Sequence, residues 1–89
     1  MYNITNYSRK QAIKLGVTIR QSRRRTKKLD VYGKDGKYLV SIGDIRYLDY
    51  PSYINTKGKE YADKRRKLYK IRHKDNIGLA GYYASNILW

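Results

Sequence analysis

The sequence predicts a small α+β domain: a short antiparallel sheet with a β-hairpin, packed by one long basic helix and by short helices at the N- and C-terminal ends. Three observations predict it. An Asp35-Gly36 pair separates two alternating runs, the pattern of a hairpin. A proline-free run of good helix formers extends from about residue 59 to 74. The chain has 89 residues, the length of one domain, and shows no internal repeat and no linker that would split it.

Ser8-Arg9-Lys10-Gln11 has the spacing of a capping box, Ala12, Ile13 and Leu15 supply apolar positions, and Gly16 suits a C-cap, so a helix is predicted over about 8–15. Val17-Thr18-Ile19-Arg20 then alternates like a strand. Residues 21–28 are polar and cationic, and the first part of this stretch reads as an exposed, mobile loop. A two-residue type I′ turn at Asp35-Gly36 pairs Lys34 with Lys37, Val31 with Val40 and Leu29 with Ile42. That register places Leu29, Val31, Tyr38, Val40 and Ile42 on one face, and Lys28, Asp30, Tyr32, Leu39 and Ser41 on the other.

Beyond Gly43-Asp44, residues 45–50 read as an irregular loop or a short strand extension, and Pro51 suits a single helical turn over 51–55. The main helix comes next, with Thr56 as candidate cap and Asn76 and Gly78 past its end. Tyr61, Ala62, Leu68, Tyr69 and Ile71 form its broad apolar stripe, leaving Lys64, Arg66, Lys67, Lys70 and Lys74 largely outside. The last twelve residues are uncharged and apolar up to Trp89. A docked tail is expected, with a short helix over 82–88 and Trp89 against the sheet or the main helix.

Charge is the dominant chemical statement. There are 21 Lys+Arg against 7 Asp+Glu, a formal net charge of +14. Residues 1–29 hold nine bases and no acid, residues 30–56 are near neutral, and residues 57–75 hold nine bases and three acids. Interspersed signs would serve solubility; two blocks flanking a neutral middle point to an anion-binding face. Phosphate is the anion that Arg forks and Lys point charges recognise best.

The candidate contacts are Arg23, Arg24, Arg25, Lys27 and Lys28 in the first block, and Lys64, Arg66, Lys67, Lys70 and Lys74 in the second. Tyr32 and Tyr47 are the candidates for exposed ring contacts with bases, while Tyr38, Tyr61 and Tyr69 read as packing. No sequence-reading module is present, so backbone-led binding of low specificity is expected, with DNA the first candidate.

Other classes are disfavoured. Cysteine is absent and His73 is the single histidine, so no disulfide, thiol chemistry or Cys/His metal cluster is available. The glycines form no phosphate-cradling loop, the carboxylates are scattered, and no cofactor is expected. A non-catalytic role is therefore expected, with His73 as a helix-surface or packing residue; a small nuclease using His73 is the third reading. The second is a structural protein docking on an acidic protein surface. No run of about 18 apolar residues suggests a membrane span, and the N-terminal residues lack the apolar core of a secretory signal.

Tyr47-Leu48-Asp49-Tyr50, Tyr69-Lys70-Ile71-Arg72-His73, Gly81-Tyr82-Tyr83-Ala84 and the closing Ile87-Leu88-Trp89 resemble the framework of a small family in large DNA viruses of protists and algae, with relatives in phages. Residues 8–16 and the 29–42 hairpin are similar to its mimivirus-like members. The resemblance implies a viral origin and brings no activity with it. It implies a virion protein neutralising packaged DNA, or a basic minor component of a capsid or core. The corresponding locations are the virion or the host-cell cytoplasm and its viral factory. The basic stretches also match nuclear-import patterns, which are weakly specific.

Overall fold

The structure, a computed structural model, describes residues 2–75 and 78–89. Thr5 opens the first helix, α1 (Asn6–Leu15): its extended backbone and its hydroxyl, accepting from the Ser8 amide at 3.1 Å, cap the free N–H groups. Ser8, expected as the cap, lies inside the helix and is fully buried. Its hydroxyl donates to the Ile87 carbonyl at 2.9 Å, so a contact with the far end of the chain overrides the local box. Gln11 likewise bonds the Asn86 carbonyl rather than reaching back to its own helix. Gly16 ends α1 in the left-handed region at φ 71°, as predicted.

The sheet is antiparallel in the order β1 (Thr18–Gln21), β2 (Lys27–Tyr32), β3 (Tyr38–Asp44). Val31 pairs with Val40 and Leu29 with Ile42, the predicted register. The turn differs. The Gly33 N–H donates to the Lys37 carbonyl and the Gly36 N–H to the Gly33 carbonyl, both at 2.9 Å, so the loop is Lys34-Asp35-Gly36 and Lys34 does not face Lys37. Gly36 takes φ 80°, which suits glycine at the end of a three-residue hairpin loop.

The register then slips between Val31 and Tyr32: Tyr32 pairs with Tyr38 and Leu39 is the extra residue on β3. A slip of one residue turns the side chains beyond it to the opposite face. Tyr38, expected beside Val31 as a packing residue, is instead 47% exposed; its ring lies 5.9 Å from that of Tyr32, and its hydroxyl is 2.7 Å from Ser41 Oγ.

The face opposite the apolar one is also covered. Asp30 is buried and accepts from the hydroxyls of Ser22 and Ser41, each at 2.6 Å, and from the Arg23 amide at 3.2 Å. Burial works to raise its pKa, but these hydrogen bonds together outweigh that and hold the carboxyl below its ordinary value. A depressed carboxyl contributes stability above its unfolded pKa of about 3.9 and loses it as pH falls through the native value. Asp30→Asn is therefore expected to be less stable than the native chain at neutral pH, with the difference narrowing below about pH 4, as read by acid titration of the circular dichroism.

Asp49 caps the next helix, α2 (Tyr50–Lys57), by accepting from the Ser52 amide at 3.1 Å, with Pro51 in the first turn. This helix is longer than the single turn expected. Gly58, at φ 89°, separates it from α3 (Lys59–Arg72). Thr56 does not cap α3: its hydroxyl donates to the Ser52 carbonyl within α2. The helix stops two residues short of Lys74; Asn76, expected just past the end, lies outside the described residues.

Only Ala62 of the expected apolar stripe is buried, while Leu68 and Ile71 are 51% and 56% exposed. The physical reason is a narrow footprint: α3 packs on α2, with the Tyr53 and Tyr61 rings 5.5 Å apart, and on Trp89. The tail docks as predicted. It forms α4 (Leu79–Tyr83) and a π-helical segment (Ala84–Leu88), which bring Ile87 and Leu88 into the core with Ala12, Ile19, Leu29, Val31 and Ile42. The result is the expected α+β class, its core centred between the apolar face of the sheet, α1 and the tail.

Candidate functional site

Within α3, Arg65, Tyr69 and Arg72 recur at i, i+4 and i+7, so they share one face of the helix, with His73 beside them. That face borders a cleft of about 520 Å³. The far wall comes from the end of the hairpin, through Lys27 and Asp44, and from Tyr47 and Leu48 just beyond it; Gly81 of α4 and Trp89 complete the lining.

The wall on the α3 side is a ladder of rings. His73 lies 4.3 Å from Tyr69, and Tyr69 stacks on Trp89 at 4.5 Å with only 8° between the planes. Trp89 leans on Tyr53 at 6.0 Å, and the Arg65 guanidinium sits 5.5 Å from the Tyr53 ring centroid. Burial pushes the Tyr69 hydroxyl up from its ordinary value, so it remains a neutral phenol. Arg65 Nε is buried and has no hydrogen-bond partner.

Asp44 is the one side-chain carboxylate among the described residues of this lining, and Arg46 grips it with contacts of 2.7, 3.1 and 3.2 Å. Those hydrogen bonds hold its carboxyl down at about 2, so its charge is permanent but locally matched. Lys27, Arg65 and Arg72 form no salt bridge among the described residues.

The predicted contacts divide sharply. Arg23, Arg24 and Arg25 are exposed on the loop between β1 and β2. That loop is anchored at Lys27, whose amide donates to the Arg24 carbonyl, and at the Ile45 amide, which donates to the Thr26 carbonyl, each at 3.1 Å. Tyr47 is 65% exposed and lines the cleft.

Lys28 corrects the expectation. It is buried, its ammonium donates to Asp49 Oδ2 at 3.0 Å and lies 5.3 Å from the Tyr2 ring centroid, so it is not offered to a phosphate. Arg66 is drawn over the Tyr50 ring at 4.0 Å and towards Asp63 at 3.7 Å, away from the cleft.

Lys64 and Lys67 are exposed on α3 but do not line the cleft. Lys70 and Lys74 border a second groove of about 400 Å³ with His73 and Tyr82. There Lys70 donates to the Ser85 carbonyl at 2.7 Å and to its hydroxyl at 2.8 Å; burial, then the nearby Arg66, lower its pKa from the ordinary ammonium value. Tyr32 sits on the sheet between Arg20, 5.3 Å from its centroid, and Tyr38, outside the cleft.

Sequence reasoning places Arg65 in the basic run 64–67 but names neither it nor Arg72 as a phosphate contact, and it treats Tyr69 as packing alone. The signal was present: a cation–ring–cation spacing of four and three residues marks a helix face as clearly as an apolar stripe does. Among the described residues, no group of three or more His, Cys, Asp or Glu side chains could hold a metal ion, and no helix is long and apolar enough to cross a membrane. Comparison with protein-family models, with curated proteins and with solved structures finds no match to this chain.

Proposed function

We propose that the protein binds nucleic acid, DNA in the first place, without catalysis and with little sequence preference, through contacts to the phosphate backbone. One observation carries this reading: Lys27 of the first basic block meets Arg65 and Arg72 of the second around a single cleft whose one side-chain carboxylate, among the described residues, is already paired. Only four of the 21 basic side chains, Lys28, Arg46, Lys59 and Arg66, are engaged in salt bridges among the described residues. The remainder repel one another on a small body, and a polyanion relieves that repulsion. The viral resemblance of the sequence extends the proposal to condensation or packaging of a viral genome.

The test is a titration of labelled duplex, labelled single strand and an acidic protein at several salt concentrations. With six to ten phosphates engaged, affinity for duplex is expected to fall roughly 10³–10⁵-fold between about 50 and 200 mM salt. Replacing Lys27, Arg65 and Arg72 together by serine is expected to lower the log–log salt slope by about 2–3. Binding to the acidic protein as tight as to nucleic acid, or a slope near zero, overturns the proposal and points to a structural role on an acidic partner.

A further inference from the structure

Resting on that reading, we propose that Thr26 is a phosphorylation site for an arginine-directed Ser/Thr kinase, and that its phosphate weakens nucleic-acid binding by occupying the cations beside it. Arg23-Arg24-Arg25 lead directly into Thr26, so guanidinium groups stand one, two and three residues before a hydroxyl. Charge patterns of this kind are what such kinases read in a substrate.

The structure sets this hydroxyl apart. Thr26 is exposed; its carbonyl accepts from the Ile45 amide at 3.1 Å, while its hydroxyl has no hydrogen-bond partner among the described residues. Ser22, the other hydroxyl of the loop, is half-buried and donates to Asp30 at 2.6 Å. Thr18 is exposed but follows Leu15-Gly16-Val17, and Thr56 follows Tyr53-Ile54-Asn55, with no base in either triplet. The 23–26 stretch is held by the Arg23 amide on Asp30, the Arg24 amide on Ser22 and the Lys27 amide on the Arg24 carbonyl. Surface-loop bonds of this kind open at little cost, so the segment can extend into a kinase cleft while the core stays folded.

In the transfer, Thr26 Oγ1 bonds to the γ-phosphorus of ATP and the bond from that phosphorus to the ADP oxygen breaks. The hydroxyl proton passes to the kinase's catalytic carboxylate. The product carries a charge of about −1.5 to −2 at neutral pH. Arg23, Arg24, Arg25 and Lys27 lie within three residues of it, and none forms a salt bridge among the described residues. Their forks and ammonium close on a phosphate tethered beside them in competition with the phosphates of a separate strand. Asp44, which pairs with Lys27 across the sheet, is already held by Arg46. Lys27 also lines the cleft, so the neutralisation reaches the loop and the cleft together.

The full chain is incubated with Mg-ATP and the catalytic subunit of cyclic-AMP-dependent protein kinase, an arginine-directed enzyme, and the modified residue is located by mass spectrometry. Phosphorylation at Thr26 is expected. Thr26→Val, at an exposed position, is expected to abolish it while folding and binding duplex like the native chain. The phosphorylated chain is expected to bind duplex roughly 10- to 100-fold more weakly at about 100 mM salt, with the log–log salt slope lowered by about 2. No incorporation, or incorporation that persists undiminished in Thr26→Val, overturns the site. Phosphorylation of Thr26 with unchanged affinity and slope overturns its effect on binding. Failure of the unmodified chain to bind any strand overturns the nucleic-acid reading, and the kinase labelling then still decides the site.

Discussion

Asp49→Ala is expected to leave much of the protein unfolded at room temperature. The carboxylate is fully buried and gathers three donors from distant parts of the chain: the Tyr2 hydroxyl at 2.6 Å, the Lys28 ammonium at 3.0 Å and the Ser52 amide at 3.1 Å. Its loss strands a buried ammonium, which costs about 3–5 kcal/mol, and removes a helix cap worth about 1 kcal/mol. A domain of this size holds on the order of 5–10 kcal/mol in total.

Tyr2 loses its acceptor as well. Burial, and then the bond to Asp49, push that hydroxyl above its ordinary pKa, which keeps it a donor to the carboxylate. Urea denaturation read by circular dichroism measures the loss. Combining Asp49→Ser, which keeps a capping oxygen, with Lys28→Met is expected to recover most of it, because no charge is then stranded. A single Asp49→Ala variant within about 1 kcal/mol of the native chain would show that the ion pair does not tie the fold together.

Gly43→Ala has the next largest expected effect, about 2–4 kcal/mol. Gly43 has φ 79°, where an L side chain is strained, and an added Cβ would lie 2.6 Å from Leu88 Cδ1, 3.0 Å from Lys28 Cδ and 3.2 Å from Lys28 Cβ. Neither neighbour yields easily. Leu88 is packed in the core and the Lys28 head group is tied to Asp49. The strain should be relieved by lifting the tail, which carries Trp89 away from Tyr69 and opens the ring wall.

A lowered thermal midpoint together with red-shifted Trp89 emission is the expected signature. Gly36→Ala is the matched control: φ is 80° but nothing lies within 4 Å, so only the backbone cost of about 1–2 kcal/mol remains. Equal destabilisation at the two positions would show that contact with Leu88 and Lys28 adds nothing to the backbone cost.

The misread elements share a cause. The turn at Asp35-Gly36 was legible as a turn, but a two-residue and a three-residue loop satisfy the same local chemistry. The compensating slip at Leu39 decided which side of the sheet Tyr38 takes. The cap at Ser8 was lost to Thr5 because Ser8 found a partner 79 residues away. On α3, apolar character suggested a buried face at Leu68 and Ile71, yet the helix rests on α2 and Trp89, which cover a different arc that includes Tyr69.

Alternation, turn chemistry and the count of charges determined by themselves the α+β class, the Val31–Val40 and Leu29–Ile42 pairings, the docked tail and the surplus of cations, because each depends on near neighbours or on composition. Only the tertiary structure decided which cations remain available. Lys28 and Lys27 are adjacent, chemically identical and both on the cleft lining, yet Lys28 is neutralised by Asp49 whereas Lys27 forms no salt bridge among the described residues. That difference arises because Lys28 finds its carboxylate 21 residues further along the chain, on a segment that reaches the strand only when the chain closes.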